Sequence, residues 1–204
     1  MSIKLINWDE LRNIKKDPAL CPELGRGKKT ALSIGVFDGL HRGHQALISK
    51  ITEKAPELLP TVVTFRENPK NYVFPENKEQ KMNDIISFEE KITLLESYGI
   101  ALCVIIDFSE YFSKISGRAF LEALNRYLCP AYIGLGEDFH CGFNRDTDAK
   151  AFKALAENLG IKAEIIPPVL TGGLPVSSSR IRAALLAKKF EEAELLLGRP
   201  FSGT

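Results

Sequence analysis

Nothing in this sequence approaches a membrane span: its longest wholly apolar run, Ile100 to Ile106, is seven residues, against the roughly 20 needed to cross a bilayer. No leader peptide is expected either. Met1 to Lys16 sets Asp9, Glu10 and Arg12 among its apolar residues and has no apolar stretch running into small residues. A cytoplasmic location and no membrane partner are expected. An excess of charge of one sign is also lacking, since 27 Lys and Arg meet 26 Asp and Glu for a net charge of +1. A protein that coats a polyanion builds a field across its surface, so nucleic acid is not expected as a partner, although a local basic pocket is compatible with this balance. Cys21, Cys103, Cys129 and Cys141 are scattered with no Cys-x-x-Cys spacing, which sets aside zinc-thiolate and dithiol chemistry. Cys103 and Cys129 read as small core residues. No internal repeat and no low-complexity tract is present.

What is present suits one folded, soluble domain over residues 1–204: 45% hydrophobic and 26% charged residues are ordinary for a globular chain. Thr30 to Phe37 is a short apolar run ending in Gly and Asp, as a buried strand entering a turn would be, and a helix from Gly43 follows, stopped by Pro56. Further strands are predicted at Thr61 to Phe65, Ile100 to Ile106, Ala131 to Leu135 and Lys162 to Ile166. Between them lie helices capped by Ser87 and by Ser116, and one opened by Asp146 or Thr147. The tail reads as helix from Ser178 to about Phe190 and again to Leu197. Five strands alternating with amphipathic helices imply an α/β, Rossmann-like, doubly wound parallel five-stranded sheet with a C-terminal helical tail. Ligand is expected at the carboxyl ends of the strands.

The most informative segment, Gly35-Val36-Phe37-Asp38-Gly39-Leu40-His41-Arg42-Gly43-His44, joins the first predicted core strand to its helix. Glycines let the backbone approach a ligand, the helix aims free N-H groups and a positive dipole outward, and two imidazoles lie three residues apart. That combination suits a polyphosphate; a tight turn with solvated histidines is the plainer alternative. A metal is less suited, because His140 is the only other histidine and a zinc site wants three or four good ligands. A second segment, Gly172 to Arg182, leads a Gly/Pro loop into a helix with Ser177, Ser178 and Ser179 in series. One serine suffices as a cap, leaving Ser178, Ser179 and Arg182 to meet phosphate oxygens, unless this is only a capped surface helix. A third, Ile133 to Arg145, interleaves Gly134 and Gly136 with Asp138, Phe139 and Phe143.

At these segments the sequence resembles the FMN adenylyltransferase (FAD synthetase) module of prokaryotic bifunctional riboflavin kinase/FAD synthetases, in the H-x-G-H nucleotidyltransferase superfamily. The likeness rests on G-x-F-D-G-x-H-x-G-H at Gly35 to His44, T-F at Thr64-Phe65, G-x-D-F-x-x-G around Gly136 to Gly142, S-S-S-R-I-R at Ser177 to Arg182 and L-L-G-R-P-F at Leu196 to Phe201. It implies a nucleotidyltransferase fold and the reaction of ATP with FMN to give FAD and pyrophosphate. On that likeness His41, His44, Ser178, Ser179 and Arg182 are the catalytic, polyphosphate-handling positions. Gly35, Val36, Phe37, Asp38, Gly39, Gly43, Gly134 and Gly136 flank ATP, while Phe65, Asn68 and Asp138 face FMN. Mg2+ is expected to bind chiefly through the phosphates and not by direct protein ligation.

The sequence departs from the family at four places, the mildest being Ser179, which keeps the hydroxyl of the usual Thr. The usual T-F-x-P-H-P reads Thr64-Phe65-Arg66-Glu67-Asn68-Pro69; Asn144 to Asp148 replaces the usual glycine and acid; and after Phe201 only Ser202, Gly203 and Thr204 remain where relatives continue into a riboflavin kinase domain. The expectation is an adenylyltransferase domain without the kinase, drawing FMN from a separate riboflavin kinase. Two rivals stand beside it: an adenylyltransferase for another phosphorylated small molecule, and a non-catalytic ATP- or flavin-binding relative.

Overall fold

Thr30–Ile34 and Leu102–Ile106 have every side chain buried. Only strands hydrogen-bonded along both edges and covered on both faces can hold such runs. A computed structural model of the chain describes residues 2–14, 16–73 and 84–201. Met1 and Lys15 of the opening segment, and Ser202, Gly203 and Thr204, lie outside the described residues.

The strands are β1 (Lys4–Asn7), β2 (Thr30–Ile34), β3 (Leu59–Phe65), β4 (Leu102–Ile106), β5 (Pro130–Gly136), β6 (His140–Cys141), β7 (Thr147–Asp148), β8 (Lys162–Ile166), β9 (Leu170–Thr171) and β10 (Leu174–Pro175). The α-helices are α1 (Pro22–Gly25), α2 (Arg42–Thr52), α3 (Lys70–Val73), α4 (Phe88–Ser97), α5 (Glu110–Ser113), α6 (Gly117–Leu128), α7 (Ala149–Asn158), α8 (Ser178–Leu186) and α9 (Phe190–Leu197). The main sheet runs β1-β4-β3-β2-β5-β8, all parallel, so it has six strands and not five. The added strand, β1, lies at the edge with Ile6 as its only buried side chain, too little alternation for a hydrophobic pattern to declare.

Alternation in β2 and β4 feeds two cores. Leu32, Ile34, Leu102, Val104 and Ile106 join Phe120, Leu124 and Phe152 beneath α6 and α7, whereas Ala31, Cys103 and Ile105 join Ile48, Leu95, Ile181 and Leu196 beneath α2, α4, α8 and α9. The buried hydroxyls of the sheet are paired internally: Thr30 donates to the Leu128 carbonyl at 3.0 Å and Ser33 to that of Gly134 at 2.8 Å. From β2 the chain winds outward through β3 and β4, then returns to the other side of β2 for β5 and β8. The reversal leaves a crevice at the carboxyl ends of β2 and β5, the usual place for a ligand in such sheets.

Ser87 and Ser116 cap α4 and α6 as expected, accepting from the Glu90 and Ala119 amides. Three local expectations change. Cys103 is buried, but Cys129 is exposed at the left-handed residue that ends α6. Asp148, not Asp146 or Thr147, caps α7, its carboxylate accepting from the Ala151 amide at 2.8 Å. The break between the two expected tail helices falls at Lys188, whose φ of 56° separates α8 from α9, slightly before the expected Phe190.

Candidate active site

The segment from β2 to α2 is wound unusually tightly. Phe37 (φ 52°), Gly39 (φ 78°) and Leu40 (φ 41°) all adopt left-handed backbone, and the two without glycine's freedom need outside support. Burial supplies it for Phe37 and Leu40, neither of which is exposed at all. Polar anchors complete it. Thr64 donates to the Val36 carbonyl at 3.1 Å, Gln45 Nε2 to the Leu40 and Leu197 carbonyls at 2.9 and 2.8 Å, and Arg199 to the Gly39 carbonyl at 2.8 Å. Gly35 is crossed by the Phe37 ring, which a Cβ there would meet at 3.3 Å.

This winding places His41 at the N-cap of α2, where its Nδ1 accepts from the His44 amide at 3.4 Å. The ring proton of the neutral form therefore sits on Nε2, making His41 a donor away from the helix. The His41 and His44 rings stack at 3.7 Å and 16°, with Phe37 edge-on to His44 at 5.2 Å. Desolvation pulls the His41 pKa down from 6.5 to about 4, the nearby Asp138 charge opposing this in part. His44 is likewise held well below the usual range, by burial first and then by the charges of His41 and Lys91. Both imidazoles are thus neutral donors at pH 7. Among the described residues, Nδ1 of His44 is buried with no hydrogen-bond partner.

The S-S-S-R-I-R segment meets this turn directly. Ser177 takes the capping role at α8, accepting from the Arg180 amide at 3.3 Å. That frees Ser178 to donate to the Asp38 carbonyl at 2.9 Å, while the Ser179 hydroxyl is exposed. Arg182 pairs with the Asp38 carboxylate, which also accepts from the Ile85 amide at 2.8 Å. Asp38 is therefore the knot joining turn, α8 and the approach to α4. Gly43 lets α2 pass close to this seam, since a Cβ there would lie 3.2 Å from the His41 ring and 3.6 Å from the Val176 carbonyl. Of the residues singled out from sequence, His41, His44, Asp38, Ser178 and Arg182 are brought together.

Gly134 and Gly136 lie in β5, beside β2. Asp138 turns back over Gly136, 3.0 Å from where a Cβ would stand, and so comes to the His41 side of the crevice. The segment after it is locked by Asp146, which accepts from the Gly117 amide at 3.0 Å and the Thr147 hydroxyl at 2.7 Å. Asn144 and Arg145 there adopt positive φ.

The loop after β3 forms a different kind of surface. Arg66, Glu67, Asn68, Asn71, Tyr72, Asp107 and Phe108 line a cleft of about 300 Å3. Asn68 is buried and its Oδ1 accepts from the Lys70 amide at 3.1 Å. Phe65 turns into an aromatic cluster, 6.0 Å from both Phe108 and Phe112. Arg66 meets Asp107 at 2.6 Å and lies 5.0 Å from the Phe88 ring. Sequence reading missed Lys91, Arg199 and Gln45, whose partners are distant in the chain; only the closing G-R-P-F motif drew attention near one of them. Among the described residues no three His, Cys, Asp or Glu side chains gather as a metal-binding group.

Comparison with known proteins agrees with this geometry. A family model described as FAD synthetase matches residues 25–180. The bifunctional riboflavin kinase/FMN adenylyltransferase of Buchnera aphidicola subsp. Schizaphis graminum is 33% identical over 177 residues, 85% of this chain and 56% of that protein. Its namesake from Pseudomonas fluorescens is 33% identical over 172 residues, 83% of this chain and 54% of the relative. The chain thus spans little more than half the length of the curated relatives it matches. A solved structure from Streptococcus pneumoniae, described as a macrolide-efflux protein, superposes with a TM-score of 0.82 at 26% identity over 98% of this chain and 61% of that one. No helix among the described residues is long and apolar enough to cross a membrane. With the family match covering the β2 turn, the loop after β3 and the start of α8, the chain belongs to the FAD synthetase family.

Proposed function

We propose that this chain transfers the adenylyl group of ATP to FMN, giving FAD and pyrophosphate. The observation that carries the reading is the stacked, neutral His41 and His44 pair at the amino end of α2, held in a turn that Asp38 ties to Arg182 and Ser178. The acceptor phosphate is already anionic, so the chemistry calls for no strong base. It calls for alignment of that phosphate with the α-phosphorus and for donors to the charge that builds on the phosphoryl oxygens and departing pyrophosphate. Neutral imidazoles donate N-H without needing a proton from solvent, and the free amides opening α2 add a positive dipole. Arg182, Ser178 and Ser179 then hold the β and γ groups, with Gly35 to Phe37 and the Gly134 to Gly136 strand flanking the nucleotide. Mg2+ belongs to the substrate here, entering with the triphosphate. The described residues offer Asp138 as a carboxylate on that side but no protein-built cage.

The cleft of Arg66 to Tyr72 and Phe108 takes the flavin: its aromatic edges suit a flat ring, while Asn68 and Asn71 bring amides to the cleft wall. In this reading residues 1–204 act as one cytoplasmic adenylyltransferase domain, fed with FMN by riboflavin kinase activity outside these residues. The test is product analysis by chromatography after incubation with ATP, Mg2+ and FMN, riboflavin or a pyridine mononucleotide in turn. FAD from FMN, with no FMN from riboflavin, is expected. Adenylylation of the pyridine mononucleotide alone would overturn the acceptor, and ATP binding without any product would overturn catalysis.

A further inference from the structure

Lys91 is a buried charge that the reaction as described leaves unused. The residue is only 4% exposed, and its Nζ donates to the Phe65 carbonyl at 3.1 Å. Phe65 closes β3 and opens the loop that lines the acceptor cleft. Glu90, next to Lys91 in the chain, lies 3.7 Å from the Arg199 guanidinium, which donates at 2.8 Å to the Gly39 carbonyl inside the histidine turn. Two consecutive side chains in the first turn of α4 therefore touch both halves of the site. The ammonium faces the charges of Asp84 and Asp38, and these offset in part the desolvation that lowers its pKa from the usual 10.5. Methionine, of similar length, would fill the space without that desolvation, so packing alone does not call for an ammonium at this point.

We propose that Lys91 is a positioning residue for adenylyl transfer: with Glu90 and Arg199 it fixes the acceptor loop at Phe65 in register with the histidine turn at Gly39, so that the acceptor phosphate lines up with the α-phosphorus. This rests on reading the chain as an FMN adenylyltransferase. Alignment is where such a link acts most strongly, because a shift of about 1 Å between reacting groups can lower a rate about 100-fold.

The experiment compares Lys91→Met and Lys91→Arg with wild type by steady-state kinetics and by amide hydrogen exchange without substrate. In Lys91→Met the KM for FMN should rise about tenfold and kcat fall between about 10- and 100-fold, while the KM for ATP stays within about twofold. Exchange over residues 65–72 should quicken while that over 35–44 holds. Lys91→Arg, which keeps a cation and a donor, should recover part of the FMN affinity. Wild-type values in Lys91→Met, or equal losses for both substrates with unaltered exchange at 65–72, would overturn the proposal. Should Lys91→Met fail to fold, Lys91→Gln tests the same split, a donor without charge. Absence of FAD from the wild-type protein would overturn the acceptor reading, and the exchange comparison, which needs no substrate, then decides the Lys91 link by itself.

Discussion

The two sides of the crevice are built on opposite terms. On the side proposed to hold the nucleotide, Asp38 has a side chain 5% exposed and Arg182 one 18% exposed, and every left-handed residue of the turn is pinned by a burial or a hydrogen bond. On the side proposed to take the acceptor, Arg66 and Asp107 are 42% and 57% exposed, Tyr72 is 46% exposed, and the cleft between them is open. The first arrangement holds charge-sensitive groups in a fixed, dry geometry; the second presents a surface whose side chains can adjust. Preorganisation of this kind is what stabilising a phosphoryl transition state asks for, whereas recognising a ring asks mainly for shape and a few polar edges. Within the T-F-x-P-H-P motif, the departures from the family's usual residues fall on the adjustable side, at Glu67 and Asn68. Substitutions on the two sides should therefore differ in what they damage, and by how much.

The largest effect is expected at the knot. Asp38→Asn keeps an acceptor for the Ile85 amide but removes the carboxylate that pairs with the Arg182 guanidinium in a largely buried place, costing about 3–5 kcal/mol. For a chain of this size that is a fall in Tm of about 6–15 °C by differential scanning calorimetry. A shift under about 2 °C would show that the turn does not depend on this pair. His44→Ala is next: loss of one preorganised donor should lower kcat by a factor of about 100–1000, or about 3–4 kcal/mol, with FMN binding by flavin fluorescence almost unchanged. Unchanged turnover would remove His44 from the chemistry.

These two predictions also mark what sequence could reveal. Asp38, His41 and His44 were legible because a strand, a glycine turn and a helix start are all local patterns. The Ser87 and Ser116 caps were legible for the same reason. Lys91 and Glu90 were not, because on a linear chain they look like solvated charges in the first turn of α4, and the L-L-G-R-P-F motif that contains Arg199 gives no hint of its partner. Only closure of the sheet brings Arg199 to Gly39, 160 residues away in the chain. The edge strand β1 was missed for want of buried side chains, and Cys129 was misplaced because a left-handed helix end is invisible to hydropathy. Local chemistry was readable, and the long-range contacts that hold it in place were not.

A smaller, pH-dependent effect sharpens the contrast. His41 has its pKa lowered in the fold, from 6.5 to about 4, so between those values the unfolded chain binds a proton that the folded chain refuses. Stability contributed by the neutral ring is full above pH 6.5 and is lost as pH falls toward 4, by about 3 kcal/mol from this group. His44 acts in the same sense, while Asp84, whose carboxyl burial raises, acts in the opposite one. Urea midpoints measured from pH 7 to pH 4 should fall steeply for wild type and less steeply for His41→Asn, which can still cap α2 but cannot titrate. Parallel profiles would mean that His41 is solvated and the nucleotide side less sealed than its geometry indicates.

The smallest effect is expected on the acceptor side, and it tests the comparison from its weak end. Arg66 donates to Asp107 at 2.6 Å and to Asn7 at 3.2 Å and lies over Phe88, yet the pair is exposed enough for water and salt to screen it. Arg66→Ala should cost under about 1 kcal/mol of stability, about 3 °C at most in Tm. Its larger signature should be specific: the KM for FMN rising about two- to fivefold with that for ATP unchanged, since the cleft loses one wall while the histidine turn is untouched. A fall in Tm of several degrees would show instead that the acceptor loop is interlocked with β1 and α4 as firmly as the turn is with α8. The division between a rigid nucleotide side and an adjustable acceptor side would then fail where it is easiest to measure.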